Sequence, residues 1–464
     1  MAIKTILFAV GFLVACIGAL FVPLLGVLGY VAHYNLGPEQ QWWTIPLRPL
    51  GIRYSLILAV ATGIGMLLHL RNLRFGNQFL VTQEKMILLF LGIVWFTVLI
   101  SEPTRETTVV LDHPSVKLTK VVIFALMMTH IVTTLRDLDW LFWVLVASAL
   151  VLGLQAYYAP RSVFVSGRLE TVGGPDFGAS NDLAAYLSAI LPLVGIQFLR
   201  SGWRGKLFCL VAGAFSTNAI ILTRSRGAVV AIVVGVLTAL ALAPSKHRGK
   251  IAVGVAVALL AGLYLADPEF LRRAGTIDDS MEQDQRDRSS QSRVEIWEGG
   301  IRMLLDNPLG VGSGNFQQTI GRYVPQHRNR DAHNMFIRCG AELGFPGLIM
   351  MVALIIGTFV SLARNLRWAM AAHPAEESRV VFIAYGLRLS LVIFLVSGVF
   401  GTLFYMEAFW WLLALPVCLT RVVGNLKEDA LLEAAPATPG LAERLRSALP
   451  GRRGRRAKVP LAGR

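Results

Sequence analysis

Long apolar runs separated by short polar stretches repeat along the whole chain. Most of these runs reach the length that crosses a bilayer as a helix, about 17–25 residues. The pattern predicts an all-α polytopic membrane protein with about 12 transmembrane helices. The first run contains Pro23 and Gly26, so we expect it to be broken into two pieces. The predicted spans are residues 4–33, 52–70, 86–101, 118–135, 138–158, 182–199, 207–223, 227–243, 250–266, 338–363, 380–401 and 405–421.

One large polar segment, residues 267–337, interrupts this pattern between the ninth and tenth spans. The short loops rich in Lys and Arg alternate with it, and the positive-inside rule places such loops in the cytoplasm. Both termini are therefore expected on the cytoplasmic side, and the partly helical polar segment in the periplasm. We divide the chain into N-terminal transmembrane helices (1–160), a core that includes the polar segment (161–425) and a basic, disordered cytoplasmic tail (426–464).

Composition agrees with a membrane protein and argues against other classes. Of 464 residues, 55% are hydrophobic and only 16% are charged, whereas a soluble protein has about 25% charged residues. The excess of 44 Lys and Arg over 29 Asp and Glu fits cytoplasmic loops and anionic lipid better than nucleic acid. The four cysteines are scattered, without a disulfide framework or a paired metal motif. The N-terminal apolar run indicates a first span rather than a cleaved signal peptide.

The polar segment holds a sequence typical of a helix start, Ser292-Arg293-Val294-Glu295. A Ser followed three residues later by Glu predicts a capping box, and Asn307-Pro308 predicts the end of that helix. Arg293 would then occupy the first helical position, where the helix dipole disfavours a cation unless an anion is bound beside it. The alternative is an ordinary helix start without a ligand. Glu295 is a spare carboxylate in either interpretation.

Two further features follow in the same segment. The glycine-rich stretch from Gly310 to Phe316 allows close backbone approach, but it lacks the Lys-Ser/Thr of a phosphate-binding P-loop, so an ordinary turn is the alternative. Asp331 and His333-Asn334 precede the tenth span directly. Histidine titrates in the range needed to accept a proton from a hydroxyl group. The alternative is that His333 only caps the following helix, a role that Asn334 could share.

Arginines also stand at the junction of the seventh and eighth spans, in Thr223-Arg224-Ser225-Arg226-Gly227-Ala228. Arginine at a membrane boundary is costly and usually points to a partner or a cavity. For Arg224, snorkelling to the interface is the equal alternative. Arg226 opens a helix, a position suited to an anion site. Upstream, Asn181-Asp182 is expected to cap the sixth span.

Taken together, these motifs resemble the O-antigen ligase family. The resemblance rests on Thr-Arg-Ser-Arg-Gly, on Arg293 with Trp297, on Asn307 to Gly312 and on His333-Asn334, and it covers about residues 165–420. Asn181-Asp182-Leu183-Ala184 fits the family's upstream motif. The family's core is shared with O-antigen polymerases and bacterial protein O-oligosaccharyltransferases. The N-terminal third is also similar to O-glycosylation ligases of exosortase-associated loci.

The resemblance implies a GT-C-type glycosyltransferase of the bacterial inner membrane. It would move a preassembled glycan from undecaprenyl diphosphate to a periplasmic acceptor, with lipid A–core favoured over a growing glycan or a protein. Arg226 and Arg293 are assigned to the diphosphate and His333 to the acceptor proton, so that direct attack inverts the sugar. No metal or other cofactor is expected, because the polar segment has no convincing metal motif. Candidate substrate-binding residues are Arg224, Asn181, Gly312, Asn334 and Asp331, the last orienting His333.

A lipid-linked glycan transporter is the alternative from another class. Such a protein would also use many spans and inward-facing arginines, but it does not need a long, ordered polar segment, and no internal repeat is visible.

Overall fold

The computed structural model describes residues 2–74, 78–103, 113–244, 247–265, 283–372 and 374–434. This part of the chain is almost entirely helical, which confirms the predicted all-α polytopic fold. The described residues form fifteen α-helices, which are joined by short 3₁₀ turns and one two-stranded antiparallel hairpin. The helices are α1 Ala2–Phe21, α2 Pro23–Leu36, α3 Tyr54–Leu68, α4 Thr82–Ile100, α5 Pro114–Ile131, α6 Leu135–Tyr157, α7 Ser180–Arg200, α8 Trp203–Thr223, α9 Arg226–Ala241, α10 Arg248–Leu265, α11 Gln283–Asp306, α12 Phe316–Tyr323, α13 Met335–Ala372, α14 Pro374–Gly398 and α15 Glu407–Ala434. The strands are β1 Phe164–Val165 and β2 Arg168–Leu169.

Ten helices in the described ranges are long and apolar enough to cross a membrane. The bent pair Trp42–Leu50 and Tyr54–Leu68, which meet at 70°, raises the number to 11 when counted as one span. Helix α9 is apolar but has only 16 residues. The predicted number is about 12, and neither the short α9 nor the 14-residue α2 is among these 10 or 11 candidates.

The first predicted span is broken, as expected, but the break reverses the chain. Val22 is extended (φ −135°, ψ 91°) before Pro23, which occupies the first turn of α2, because a residue preceding proline avoids the helical region. Helices α1 and α2 then run antiparallel, with the rings of Phe8 and His33 6.5 Å apart. Thr5 Oγ1 donates a hydrogen bond to Trp43 O at 2.5 Å.

The N-terminal end of α1 therefore lies beside residues 37–53. The end of α15 lies at the other end of the bundle, where Arg74 Nη1 contacts Asp429 Oδ2 at 2.9 Å. The start of α1 and the end of α15 therefore lie at opposite ends of the bundle, because α1 and α2 form a hairpin and not one span, and this contradicts the prediction that both termini lie on one side as far as the chain is described. Of the predicted disordered tail, residues 426–434 belong to α15, and residues 435–464 lie outside the described residues.

We call the end of the bundle that carries residues 37–53 and 158–180 the site end. The ends of α2 and α6, which lead into these two stretches, are in contact, since Gln155 Nε2 donates to Leu36 O at 3.2 Å. The connecting segment, residues 283–334, leads into α13 at this end. It has a small hydrophobic core of its own with the start of α13, formed by Ile296, Met303, Phe316, Ile320, Val324, Ala332 and Ala341.

Helix α13 is interrupted nine residues after it begins. Gly344 is non-helical (φ 67°, ψ −168°), and Pro346 follows within the next turn. Proline lacks an N–H donor and its ring excludes a regular helix at the preceding turn. The freed backbone groups contact the connecting segment instead: Phe345 N donates to Pro308 O at 2.9 Å.

Candidate active site

The turn between α8 and α9 presents two arginines at the site end. Arg224 closes α8 in the left-handed conformation (φ 49°). Ser225 caps α9, and its Oγ accepts from Ala228 N at 3.4 Å. Arg226 is the first residue of α9 and is exposed. The sequence correctly predicted that Arg226 begins a membrane helix.

Asn181 holds this turn rather than capping a helix. Its Oδ1 accepts from Ser225 Oγ and from Arg168 Nη2, both at 2.8 Å. Helix α7 begins one residue earlier, at Ser180, without a side-chain cap, so the predicted Asn-Asp cap is wrong. Arg168 also donates from Nε to Thr223 O at 3.0 Å. The β-hairpin that carries Arg168 is thereby attached to the arginine turn.

Arg293 does not lie at a helix start. Helix α11 begins at Gln283 and continues to Asp306, so Ser292 is inside it and the predicted capping box is wrong. The predicted end at Asn307-Pro308 is confirmed. The polar residues before Ser292 extend the helix backward, which leaves Ser292 no free first-turn amides to cap.

Arg293 nevertheless lies within electrostatic range of Arg226. Burial lowers the pKa of the Arg293 guanidinium, and the positive charge of Arg226 lowers it further. Within the described residues neither arginine makes an ion pair. Two guanidinium groups thus lie within electrostatic range of each other, and no described carboxylate pairs with either of them, an arrangement that favours a bound anion.

His333 lies within electrostatic range of Arg293. Burial lowers the pKa of its imidazole, the carboxylate of Asp331 raises it, and the charges of Arg293 and Arg330 lower it, with a net decrease. The backbone of His333 is left-handed (φ 47°), a conformation uncommon outside glycine and asparagine. Arg293 is therefore within electrostatic range of both Arg226 and His333, which are far from it in sequence.

Asn334 caps α13. Its Oδ1 accepts from Phe336 N at 2.9 Å and from Ile337 N at 3.2 Å, and the residue is buried. The interpretation in which His333 serves as the cap does not hold, because Asn334 fills that position.

Asp331 is engaged away from His333. Its carboxylate receives Arg338 Nη1 at 3.1 Å and Ala332 N at 2.7 Å. In the described part of the chain no hydrogen bond joins Asp331 to His333, so only its charge acts on the imidazole. Glu295 is also engaged, with His327 Nε2 at 2.9 Å.

The glycine-rich turn binds a protein carboxylate. Gly314 N donates to Glu342 Oε2 at 3.0 Å, and Phe316 N lies 3.4 Å from Oε1. Gly312 N donates to Glu342 O at 2.9 Å. Gly312 has φ 98° and packs against Ser101, which explains its need for glycine. The amides of this turn therefore bind Glu342 of α13. Gly312 has a structural role in the turn.

A second cluster of polar residues lies at the site end, and it was not identified from the sequence. Asp176, on the loop before α7, forms an ion pair with Lys117 and accepts from Tyr34 Oη at 2.9 Å. Glu407 N donates to the same carboxylate at 2.9 Å. The available signal was Glu407 inside an apolar span, but only the tertiary fold brings it together with Asp176 and Lys117. Arg168 and Arg330 were missed for the same reason.

No group of three or more His, Cys, Asp and Glu side chains that could hold a metal ion occurs among the described residues. The arrangement of charge at the site end is instead dominated by arginine. Metal independence remains a prediction.

Comparison with known proteins adds one family. Residues 211–352 match the family model described as O-antigen ligase. Comparison with curated protein sequences gives no match. The matched range contains Arg226, Arg293 and His333. Residues 211–352 are thus similar to the O-antigen ligase family, in agreement with the resemblance that the sequence motifs indicated.

Proposed function

We propose that this protein is a GT-C-type glycosyltransferase of the bacterial inner membrane that transfers a preassembled glycan from undecaprenyl diphosphate to a periplasmic acceptor, lipid A–core being favoured. One observation carries the proposal. Arg293 lies within electrostatic range of Arg226 and of His333, neither arginine has an acidic partner in the described residues, and all three lie inside the segment that matches the O-antigen ligase family.

The arginines bind the donor's diphosphate. A diphosphate leaving group gains negative charge as the glycosidic bond breaks, and fixed cations that stabilise this charge lower the barrier. Guanidinium groups suit the task because they stay protonated and donate two parallel hydrogen bonds to phosphate oxygens. Arg226 at the start of α9 also places the first amides of that helix near the anion.

His333 activates the acceptor. One ring nitrogen accepts the proton of the acceptor hydroxyl as its oxygen attacks the anomeric carbon of the first sugar. The bond from that carbon to the diphosphate oxygen breaks, and its electron pair leaves with the diphosphate. Attack from the opposite side inverts the configuration. The lowered pKa of His333 keeps the imidazole neutral, and so able to accept a proton, at neutral pH.

Transfer by the purified protein in lipid nanodiscs tests the proposal. The donor is a lipid-diphosphate-linked glycan, and three separate reactions offer lipid A–core, a second lipid-linked glycan or a Ser/Thr peptide. We expect sugar transfer to lipid A–core, unchanged in EDTA. Transfer to either other acceptor instead would reassign the protein to polymerases or protein O-oligosaccharyltransferases. Movement of the donor across the bilayer without transfer would make it a transporter.

A further inference from the structure

The β-hairpin of β1 and β2 packs against the turn between α8 and α9, residues 223–226, which we call the arginine turn. The tip of the hairpin is Ser166-Gly167, with φ angles of 49° and 71°. Gly167 lies so close to Arg224 that a Cβ atom on Gly167 would be 2.7 Å from Arg224 Nη1. Strand β2 contacts α8. The hairpin therefore belongs to the immediate surroundings of the arginine turn.

One side chain of the hairpin, that of Arg168, binds the arginine turn at two points. Its Nε donates to Thr223 O at 3.0 Å. Thr223 is the last residue of α8, where the carbonyls have no partner within the helix and the helix dipole favours a cation. Arg168 Nη2 donates to Asn181 Oδ1 at 2.8 Å, and the same oxygen accepts from Ser225 Oγ at 2.8 Å. Arg168 is thus linked to the residue on each side of Arg224.

The link through Asn181 orients the cap of α9. Ser225 Oγ donates its single proton to Asn181, which leaves its lone pairs for Ala228 N, from which it accepts at 3.4 Å. Ser225 O accepts from Val229 N at 3.2 Å. The position of Ser225 therefore determines where the first turn of α9 lies. Arg226 is the first residue of that turn.

The arginine turn needs contacts of this kind because its backbone is strained. Arg224 is left-handed, with φ 49° and ψ 38°, a conformation that is uncommon for residues other than glycine and asparagine. Such a residue persists where the surrounding structure holds it in place. Arg168 contributes to this support on both sides of Arg224, at Thr223 and, through Asn181, at Ser225.

We propose that Arg168 is a positioning residue for Arg226. By binding Thr223 O and Asn181 Oδ1, it fixes the place from which Arg226 reaches the diphosphate of the donor. A planar guanidinium suits this task because its donors have a fixed spacing, which a lysine ammonium on a flexible stem does not reproduce. The inference rests on the proposed function for the role of Arg226, whereas the effect of Arg168 on the turn can be measured without any transfer.

Hydrogen–deuterium exchange of the purified full-length protein in lipid nanodiscs tests this effect. We expect Arg168→Gln to speed the exchange of a peptide that contains Ala228 and Val229 about tenfold, because opening of the turn no longer breaks the contacts of Arg168. Asn181→Leu removes the shared acceptor and should have the same effect, which keeps the test valid if Arg168→Gln does not fold. Arg161→Gln, which removes an exposed arginine from the same loop, is the control and should exchange like the unmodified protein. Unchanged exchange in the two test variants, or an equal rise in the control, would overturn the proposal.

Transfer by double variants shows whether Arg168 acts through Arg226. Arg168→Gln should lower kcat/KM about tenfold in the otherwise unmodified protein, but less than about twofold when Arg226 is already Gln, because no guanidinium is then left to position. Arg168→Lys keeps the charge and should not restore transfer. A fully additive loss in the double variant, or full recovery with lysine, would show that Arg168 acts on the donor by its charge and would overturn the proposal. If the unmodified protein transfers no glycan, the proposed function fails, and the exchange experiment alone decides whether Arg168 positions the turn.

Discussion

Asn334 caps helix α13, and the residue immediately before it, His333, is left out of that cap. The Asn334 side chain accepts hydrogen bonds from the backbone amides of Phe336 and Ile337. In the described residues the His333 ring makes no hydrogen bond. The division of roles between these two neighbours leaves the imidazole available for chemistry.

Replacing His333 with asparagine is the sharpest test of the proposed base. Asparagine tolerates the left-handed backbone found at this position, so the variant should fold, whereas alanine would be strained. An amide cannot accept the proton at neutral pH, and we expect transfer to fall about 10²- to 10⁴-fold. Single-turnover transfer with bound donor measures the effect. His327→Asn, in the same segment, should transfer normally, and an equally active His333→Asn protein would remove His333 from the mechanism.

The pH profile of transfer should follow the charges around His333. Below its pKa the ring is protonated and cannot act as a base, so activity should fall on the acidic side with a midpoint below the ordinary value of 6.5. Asp331→Asn removes a charge that raises the pKa and should move this limb to lower pH. Arg330→Gln removes a charge that lowers the pKa and should move it to higher pH. If the acidic limb of the kcat/KM profile moved in the same direction for both variants, His333 would not be the titrating base.

Lysine should not replace either arginine of the proposed diphosphate site. It keeps the charge but lacks the fork that donates two hydrogen bonds to phosphate, and we expect each of Arg226→Lys and Arg293→Lys to lose at least about tenfold in kcat/KM. Arg302→Lys is the control for Arg293: it lies nine residues later on the same helix, on the opposite face, and is 59% exposed. Near-normal transfer by the two site variants would reduce these arginines to structural roles.

Glu342 should be essential for stability. It is fully buried and receives Gly314 N, Tyr405 Oη and Arg338 Nε, the last at 2.9 Å. Glu342→Ala would leave buried donors unpaired, and the loss of a buried ion-pair partner costs about 3–5 kcal/mol. We expect a corresponding loss in the free energy of unfolding, measured by denaturant titration in detergent. Glu298→Ala, which breaks an exposed pair, should change this free energy by less than about 1 kcal/mol.

The N-terminus should be labelled from the same side of the membrane as the site end. Ile3 and Tyr158 are 75% and 77% exposed, and Trp203, at the other end of the bundle, is 71% exposed. An impermeant maleimide added to intact spheroplasts should modify Ile3→Cys and Tyr158→Cys and spare Trp203→Cys. The protein without a new cysteine measures background labelling. Labelling of Trp203→Cys together with Ile3→Cys would contradict the α1–α2 hairpin.

Local patterns in the sequence were sufficient for most of the fold. Apolar runs located the membrane helices because each helix must satisfy its own backbone hydrogen bonds in lipid. Pro23 located the break in the first run, but the direction of the chain after it depends on packing of α2 along α1, which the pattern does not encode. The Ser292-x-x-Glu295 pattern failed because the same spacing also occurs inside helices.

The candidate site was predictable only in part, for a related reason. Arg226, Arg293 and His333 were conspicuous as polar residues at membrane boundaries. Their closeness to one another, however, comes from contacts between distant parts of the chain. The role of Glu342 was hidden because a carboxylate inside an apolar helix does not indicate which loop it will bind.

The hydrogen bond from Trp297 Nε1 to Ala332 O, at 2.9 Å, has a mechanical consequence. It ties the helix that carries Arg293 to the residue before His333, and both belong to the small core of the connecting segment. Arg226 belongs to the membrane bundle instead. The proposed site is therefore built from two parts: the connecting segment carries the proposed base His333 together with Arg293, and the membrane bundle carries Arg226. A tilt of the connecting segment would change the distance between Arg226 and Arg293, and with it the affinity for an anion. The distance from Arg293 to His333 would not change, because both residues would move together.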